Sequence, residues 1–478
     1  MADRRSPNDL ATGLLLFLHF SLISTLSAAL FSPPDNYLIA CGASSSASLQ
    51  DGRSFLPDSA RSSSVLHAHG RQISVANQSP DAAPLHRSAR VFACPSSYEF
   101  DVKNKGTHLI RLHFYPFSTQ EYNLSSARFH VLASGIILLS DFGTSNPLLK
   151  EYLINLEEEK LIITFAPADR SSFAFVNAIE VVSAPKDLIL YPARLVRSDD
   201  VTKFDGLSKQ ALETLYRINV GGPKVTPFND TLWRTWVPDG EFLKLSSATE
   251  TFTYGGRIKY QSYGASREVA PDNVYNTARV TRAGTSVSGS NYSMTWEFPV
   301  KSGYKYLIRL HFCDIASLAL NELYFNVYIN GYLGYEDFDL SESAGQILAS
   351  PHYVDFVVDV DASELLSISI GPSKLSSPSW IRGLLNGVEI MKMNNTMGNL
   401  DDESSVILVS ENPLRRGFGA FVRSLVCGFT LVSLLGIAFM LFLRWRAESR
   451  NHMAWSRLPV DVSHGKLTAE SPVMPGKL

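Results

Sequence analysis

The hexapeptide LIRLHF runs from Leu109 to Phe114 and returns, residue for residue, from Leu307 to Phe312. Read as a strand, whose side chains alternate between two faces, it sends Ile110, Leu112 and Phe114 one way and Leu109, Arg111 and His113 the other. The same division puts Ile308, Leu310 and Phe312 on one face of the second copy. One face is fully apolar and the other mixes Leu with Arg and His, so both faces are at least partly covered, as in a sandwich of two sheets.

Working outward, further pairs match in the same order. Pro57-Asp58 answers Pro238-Asp239, Ala89-Arg90 answers Ala278-Arg279, Glu99-Phe100 answers Glu297-Phe298, Gly135 answers Gly331, and Asn177 answers Asn386. The separations drift while the order holds, as expected when strands are kept and loops change length. The chain is a duplicated module arranged as two tandem domains, not a solenoid.

Short runs such as YLIACG, YEFDV, LIITF, YRINVGG, TWEFPV and YVDFVVDV recur between Ser, Gly, Pro, Asp and Asn clusters, the signature of an all-β chain. Phe325, Val327 and Ile329 alternate with Asn326, Tyr328 and Asn330, and Asn330-Gly331 supplies the residues a tight hairpin prefers. The expected architecture is two tandem β-sandwiches, residues 31–184 and 213–393, joined by a linker over 185–212 where the strand pattern fades. A polar run from 394 to 423 reads as a stalk.

With 478 residues, 45% hydrophobic and 19% charged, the chain can bury two cores. Its net charge of −3 argues against nucleic acid as a partner. Arg4 and Arg5, an apolar run from Leu14 to Leu26 and the small residues Ser27, Ala28 and Ala29 lay out a secretory signal over 1–29. Residues 424–443 carry no charge and as a helix would cover roughly 30 Å, the thickness of a bilayer core. Arg423 flanks that run on one side and Arg444, Trp445 and Arg446 on the other, as interfacial anchors do. The reading is a single-pass plasma-membrane protein with its amino-terminal domains outside and a short cytoplasmic tail, 444–478.

The Asn-x-Ser/Thr sites at Asn77, Asn123, Asn229, Asn291 and Asn394 all precede the spanning run, as glycosylated extracellular positions should. Of the 4 cysteines, Cys427 lies in that run, Cys41 and Cys94 are both in the first copy and could form the one disulfide there, and Cys313 reads as a buried small hydrophobe.

The chemistry of catalysis is not legible. No Gly-x-Ser-x-Gly, Cys-x-x-Cys or His-Glu-x-x-His stretch occurs. His113 and His311 read as satisfied strand histidines, Glu157, Glu158 and Glu159 as a solvated hairpin turn, and Asp58 and Asp239 as members of a shared Pro-Asp turn. Tyr115, Phe117 and Tyr122 read as rim packing rather than a sugar platform.

Several long stretches together resemble a known family: IACG ending at Gly42, RLHFYPF from Arg111, FAFVNAIEVVSAP from Phe173, YRINVGGP from Tyr216, NDTLWRTWVPD from Asn229, HFCDI from His311 and LNGVEIMKM from Leu385. They look like the ectodomain of the plant malectin-like receptor kinases, the Feronia and Theseus group, over roughly residues 33–393. The resemblance implies tandem malectin-like β-sandwiches on the cell surface, in a family that senses wall integrity and secreted peptides. Its members continue into a serine/threonine kinase, whereas the residues after Arg444 hold no glycine-rich loop, Val-Ala-Ile-Lys strand or His-Arg-Asp loop. Asp141-Phe142-Gly143 spells a kinase triplet, but in the expected ectodomain it reads as a strand-end turn.

The expected function is therefore a receptor-like surface protein, not an enzyme and without a cofactor, metal or kinase of its own. It would bind a secreted peptide or wall polysaccharide and work with a co-receptor or kinase-bearing relatives. A non-signalling carbohydrate-binding wall tether and a truncated product of a receptor kinase are the alternatives. Binding residues favour loops and domain interfaces, which places ligand contacts on loops of the second copy and in the groove between copies, with no particular residue marked by the sequence.

Overall fold

The structure, a computed structural model, describes residues 31–60, 65–68, 72–189, 192–244, 249–262, 264–282, 293–376 and 381–401. The expected signal, spanning run, tail and Asn291 lie outside them. Both copies fall within one compact unit of the chain. Among the described residues nearly every element is a strand, and the α-helices are the four-residue turns Asp272–Tyr275 and Leu340–Ser343. The all-β expectation holds.

Each LIRLHF sits inside a nine-residue strand, Gly106–Phe114 and Lys305–Cys313. Ile110, Leu112 and Phe114 point into the first sandwich among Phe129, Ile163 and Phe165, and Ile308, Leu310 and Phe312 into the second among Phe325, Val327 and Ile368. Removing each such side chain from water contributes about 1.5–3 kcal/mol. Opposite these strands, the first sandwich is closed by a sheet ordered Ile136–Phe142, Phe129–Ala133, Lys160–Pro167, Ser96–Asp101, Val65–Ala68. The second is closed by Met294–Pro299, Leu365–Pro372, Tyr324–Ile329, Tyr332–Asp339.

The repeat pairs have equivalent places. Gly135 and Gly331 are the second residues of matching two-residue hairpins, Ser134-Gly135 and Asn330-Gly331, in which both residues have positive φ, as the strand twist favours. Asn177 accepts from Tyr115 N and Asn386 from Cys313 N, each tying the next strand to the end of its LIRLHF. Asp58 and Asp239 do more than turn the chain. Each accepts from a glycine N–H (Gly42, Gly221), from a repeat arginine (Arg90, Arg279) and from a buried aromatic (Tyr98 Oη, Trp296 Nε1). Gly42 and Gly221 share φ +70°, and a Cβ on either would stand 2.3 Å from the carbonyl oxygen of Ala89 or Ala278.

The largest sheet is common to both copies. In order run Val201–Phe204, Ala193–Val196, Pro351–Asp359, Lys305–Cys313, Gly387–Met393, Leu212–Asn219, Leu148–Leu156, Gly106–Phe114, Ala178–Ser183, Asn36–Ala40, Ser54–Pro57 and Ala47–Ser48. The copies meet where Tyr152 and Leu153 pair with Glu213 and Leu212. On the face away from both sandwiches an apolar row of a third core runs through the cross-strand neighbours Leu109, Leu153, Leu212 and Met393 and then, two residues along that strand, through Met391, Leu307 and Val357.

Three expectations change. The segment 185–212 carries two strands: Ala193–Val196 runs parallel to Pro351–Asp359 and pairs with Val201–Phe204. These strands are four residues each, too short to stand out as alternation. The polar run from 394 does not start as a stalk. Leu400 is fully buried in the first core, its N–H donates to Ile137 O, and Asn399 Oδ1 and Asp401 Oδ2 accept from Ile137 N and Ser140 N. Polar side chains there stand in for a strand ladder, which a hydropathy pattern cannot reveal. Cys41, Cys94 and Cys313 are all free thiols, so the expected Cys41–Cys94 bridge is not made. Cys41 is fully buried at the end of its strand, where burial and the Asp58 carboxylate push its thiol pKa well up.

Candidate binding groove between the two copies

The apolar row lies beside a charged one, two residues away on most of the strands and, across a register shift, five residues away on Leu212–Asn219. From second copy to first it reads Asp355, Arg309, Glu389, Arg217, Glu151, Arg111, Glu180, Arg53, Asp51. Arg309 grips Asp355 with two nitrogens at 2.8 and 2.7 Å. Arg217 bridges the copies, donating to Glu389 at 2.7 Å and to Glu151 at 2.6 Å. Arg111 donates to Glu151 at 2.7 Å and Glu180 at 2.9 Å, and Arg53 continues to Glu180 at 2.9 and 2.8 Å and to Asp51.

All of these groups but Asp51 are buried, so they persist as ions only because each faces its opposite. Burial raises the Glu151 pKa, yet Arg217 and Arg111 outweigh it and bring the carboxyl down to about 2. Glu180 is held well below the carboxylate range against burial by Arg111, His113 and Arg53. Glu389 is depressed in the same way by Arg217, His311 and Arg234.

The histidines of LIRLHF complete the row: His113 Nε2 lies 2.8 Å from Glu180 Oε1, and His311 Nε2 lies 3.3 Å from Glu389 Oε2 with its Nδ1 3.1 Å from Tyr275 Oη. Burial lowers the His311 pKa against the pull of Glu389. The reading of both as satisfied structural groups agrees with these partners.

A loop of the second copy, NDTLWRTWVPD from Asn229, is laid over the charged row. Asp230 organises it, accepting from Leu232 N, Arg234 N, Arg234 Nε and Trp236 Nε1. Leu232 O then receives Arg111 Nη2 of the first copy at 2.7 Å. Trp233 adopts φ +56°, rare for a bulky side chain, and its ring faces the Arg53 guanidinium at 5.6 Å.

Beside the loop a cavity of about 460 Å³ opens between the copies. Its floor is Arg111, Glu151, Glu180 and Arg217, and its walls include Leu49, Leu85, Leu149, Pro227, Trp233 and Val237. Trp233 also lines two neighbouring hollows of about 400 and 420 Å³, one toward Asn36 and Leu56 and the other toward Phe31 and Phe228. With every floor charge already mated, the groove offers shape and apolar contact rather than a free ion. Among the described residues no three His, Cys, Asp or Glu side chains are grouped to hold a metal.

The other residues singled out in the sequence fall elsewhere. Glu157, Glu158 and Glu159 are exposed, but they turn a corner between the shared sheet and the facing one rather than a hairpin. Asp141 ends the strand Ile136–Phe142 in an exposed ion pair with Arg128, and Phe142 packs on Phe114 and Phe129. Tyr115 stacks on His86 at 4.1 Å, and Tyr122 meets Phe173 edge-on. Asn123 and Asn229 are exposed, whereas Asn77 and Asn394 are half-buried and bonded to His86 O and Ala211 N. The loop from Asn229 was legible only as a family stretch. Its function as a cover depends on Asp230 collecting donors, which no spacing announces.

The model of the malectin-like domain family matches residues 39–393. A probable receptor-like protein kinase of Arabidopsis thaliana is 44% identical over 95% of this chain and 54% of its own length. Receptor-like protein kinase HERK 1 is 38% identical over 93% of this chain and 53% of its own length, and THESEUS 1, also from Arabidopsis thaliana, is 39% identical over 82% and 46%. The chain thus spans about half the length of the curated relatives it matches. Among solved structures, the ANXUR1 extracellular domain from Arabidopsis thaliana is 30% identical with a TM-score of 0.66, covering 76% of this chain and 98% of that one. A structure of the plant peptide RALF23 in complex with FER and LLG2 gives 30% identity and a TM-score of 0.65 over 77% of this chain and 98% of that one. From its duplicated sandwiches and these likenesses together, the chain belongs to the malectin-like domain family, with receptor-like kinases of the FERONIA and THESEUS type as its relatives.

Proposed function

We propose that this chain is a cell-surface receptor-like protein whose paired sandwiches bind a secreted peptide in the groove between them, in wall and growth signalling. The observation that supports the reading is its likeness, over 77% of its length, to the structure of the plant peptide RALF23 in complex with FER and LLG2. A preorganised, mostly apolar groove between two rigid halves suits such a ligand. In this reading the sandwiches bind and do not catalyse, and a co-receptor or kinase-bearing relatives transmit the signal. It crosses the plasma membrane once at residues 424–443, outside the described residues, and its sequons, including the exposed Asn123 and Asn229, carry glycans. No helix among the described residues is long and apolar enough to cross a membrane.

The test is binding of the full chain, in detergent, to RALF23 and to de-esterified pectin. Saturable binding to the peptide at micromolar strength or tighter, with pectin inert, is the expected result. Pectin binding without peptide binding would favour the wall-tether reading.

A further inference from the structure

The shared sheet forks at the junction of the copies. The strands Leu148–Leu156 and Leu212–Asn219 pair only at Tyr152 and Leu153 with Glu213 and Leu212. On that same side of the second strand, Ile218 and Asn219 pair with Val237 and Pro238. Between these contacts, Thr214 to Arg217 has no strand partner on that side among the described residues; its neighbour Gly387–Met393 lies on the other. The first strand is likewise paired only with Gly106–Phe114 over Leu148 to Glu151. On the other side of the strand a register shift against Gly387–Met393 lies between Thr214 and Tyr216, so the bare stretch coincides with a bulge.

The large cavity lies along this gap. Thr214, Leu215, Tyr216 and Arg217 all line it. Arg217 enters it from the sheet face, and the unpaired edge of these four residues, with its main-chain donors and acceptors, borders it as well. Thr214 Oγ1 is buried there without a partner. Leu149 and Val237, 47% and 37% exposed, border the same space.

Resting on the peptide reading above, we infer that the fork accepts an extended polypeptide segment as an added strand along Thr214–Arg217, with one apolar side chain seated beside Trp233, Leu149 and Leu85. A main chain has donors and acceptors at strand spacing and supplies what a bare edge lacks. Four residues of it span about 13 Å. A glycan presents hydroxyls toward apolar walls and finds the floor charges already paired. Trp233 is the anchor: its left-handed backbone is held by the donors gathered on Asp230, the kind of strain that persists where the surroundings impose it.

The test uses the full chain in detergent and a phage-displayed library of random dodecapeptides. Selected peptides, resynthesised with single N-methyl amides, should lose binding at alternate positions, and their binding should protect the amides of Thr214 to Arg217 from hydrogen exchange. Trp233→Gly, which removes the anchor and suits the positive φ, and Leu149→Lys, at an exposed site, should each weaken binding at least about tenfold while the melting temperature shows a folded chain. Peptides that bind both variants as tightly as the parent, or that show no alternation, overturn the strand-addition inference and leave peptide binding standing. Failure to select any peptide at micromolar strength overturns both.

Discussion

The two copies of LIRLHF have the same residues and different surroundings. In the first, Arg111 is shared between Glu151 and Glu180, gives a nitrogen to Leu232 O, and lines the open groove. In the second, Arg309 is sealed under Tyr353 at 4.2 Å, is clamped on Asp355, and keeps its Nη1 buried without a partner. Both carboxylates beside Arg111 have another arginine, Arg217 or Arg53, whereas Arg309 supplies both charged hydrogen bonds recorded for Asp355. One hexapeptide thus builds a redundant, groove-facing network in the first copy and a single closed clamp in the second.

That contrast sets the largest expected effect. Arg309→Ala leaves Asp355 buried without its counter-ion and should cost about 3–5 kcal/mol. Arg111→Ala leaves Glu151 and Glu180 with a remaining arginine each and should cost about 1–3 kcal/mol. Thermal and guanidinium unfolding of the two variants decide it, and equal losses would show that the networks are equivalent.

Leu400→Ala should remove about 2–4 kcal/mol through the cavity it leaves. Although Leu400 follows the second copy in sequence, the loss should show first as faster hydrogen exchange in Ile136–Phe142. A change at the exposed Leu375 should be near neutral by the same measurement. Faster exchange confined to the second copy would separate Leu400 from the first core.

Acid should act more gradually. Glu151 has an ordinary pKa of 4.5 and a folded value of about 2, so its contribution is complete above about pH 4.5 and fades as pH falls toward 2. His311, neutral when folded and with a lowered pKa, adds a loss that begins as pH falls through 6.5. Stability measured from pH 7 to 3 should therefore fall. Glu151→Gln should flatten the lower part of that fall, and an unchanged profile would remove the inter-copy row from the account of acid sensitivity.

The smallest effect compares two glycines of positive φ in the second copy. Gly331→Ala meets open space and suffers only its positive φ, about 1 kcal/mol. Gly221→Ala suffers the same φ penalty and drives a Cβ toward Ala278 O, so its melting temperature should fall further. Equal shifts would mean that the backbone there yields.

Much of this was legible where the signal is local. Alternation in LIRLHF assigned Ile110 and Ile308 inward correctly, and Asn330-Gly331 marked its hairpin, because strand faces and two-residue turns follow from neighbouring residues alone. Leu400 was misread, and Asp58 was read only as a turn residue, because their partners, Ile137 and Arg90, are remote in sequence and their polar surroundings resemble a loop. The groove was expected between the copies, but its residues could not be named, since Thr214 to Arg217 differs from any buried strand only in what fails to pair with it.

By itself, then, the sequence determined the duplication, the β class, the family and which face of each LIRLHF enters a core. Only the tertiary structure decided that the copies share one sheet, that Arg217 and Glu151 join the two charged rows, and that the sheet forks beside Trp233. Periodicity and turn chemistry act over a few residues. Strand partnership and buried charge pairing depend on segments that only folding brings together.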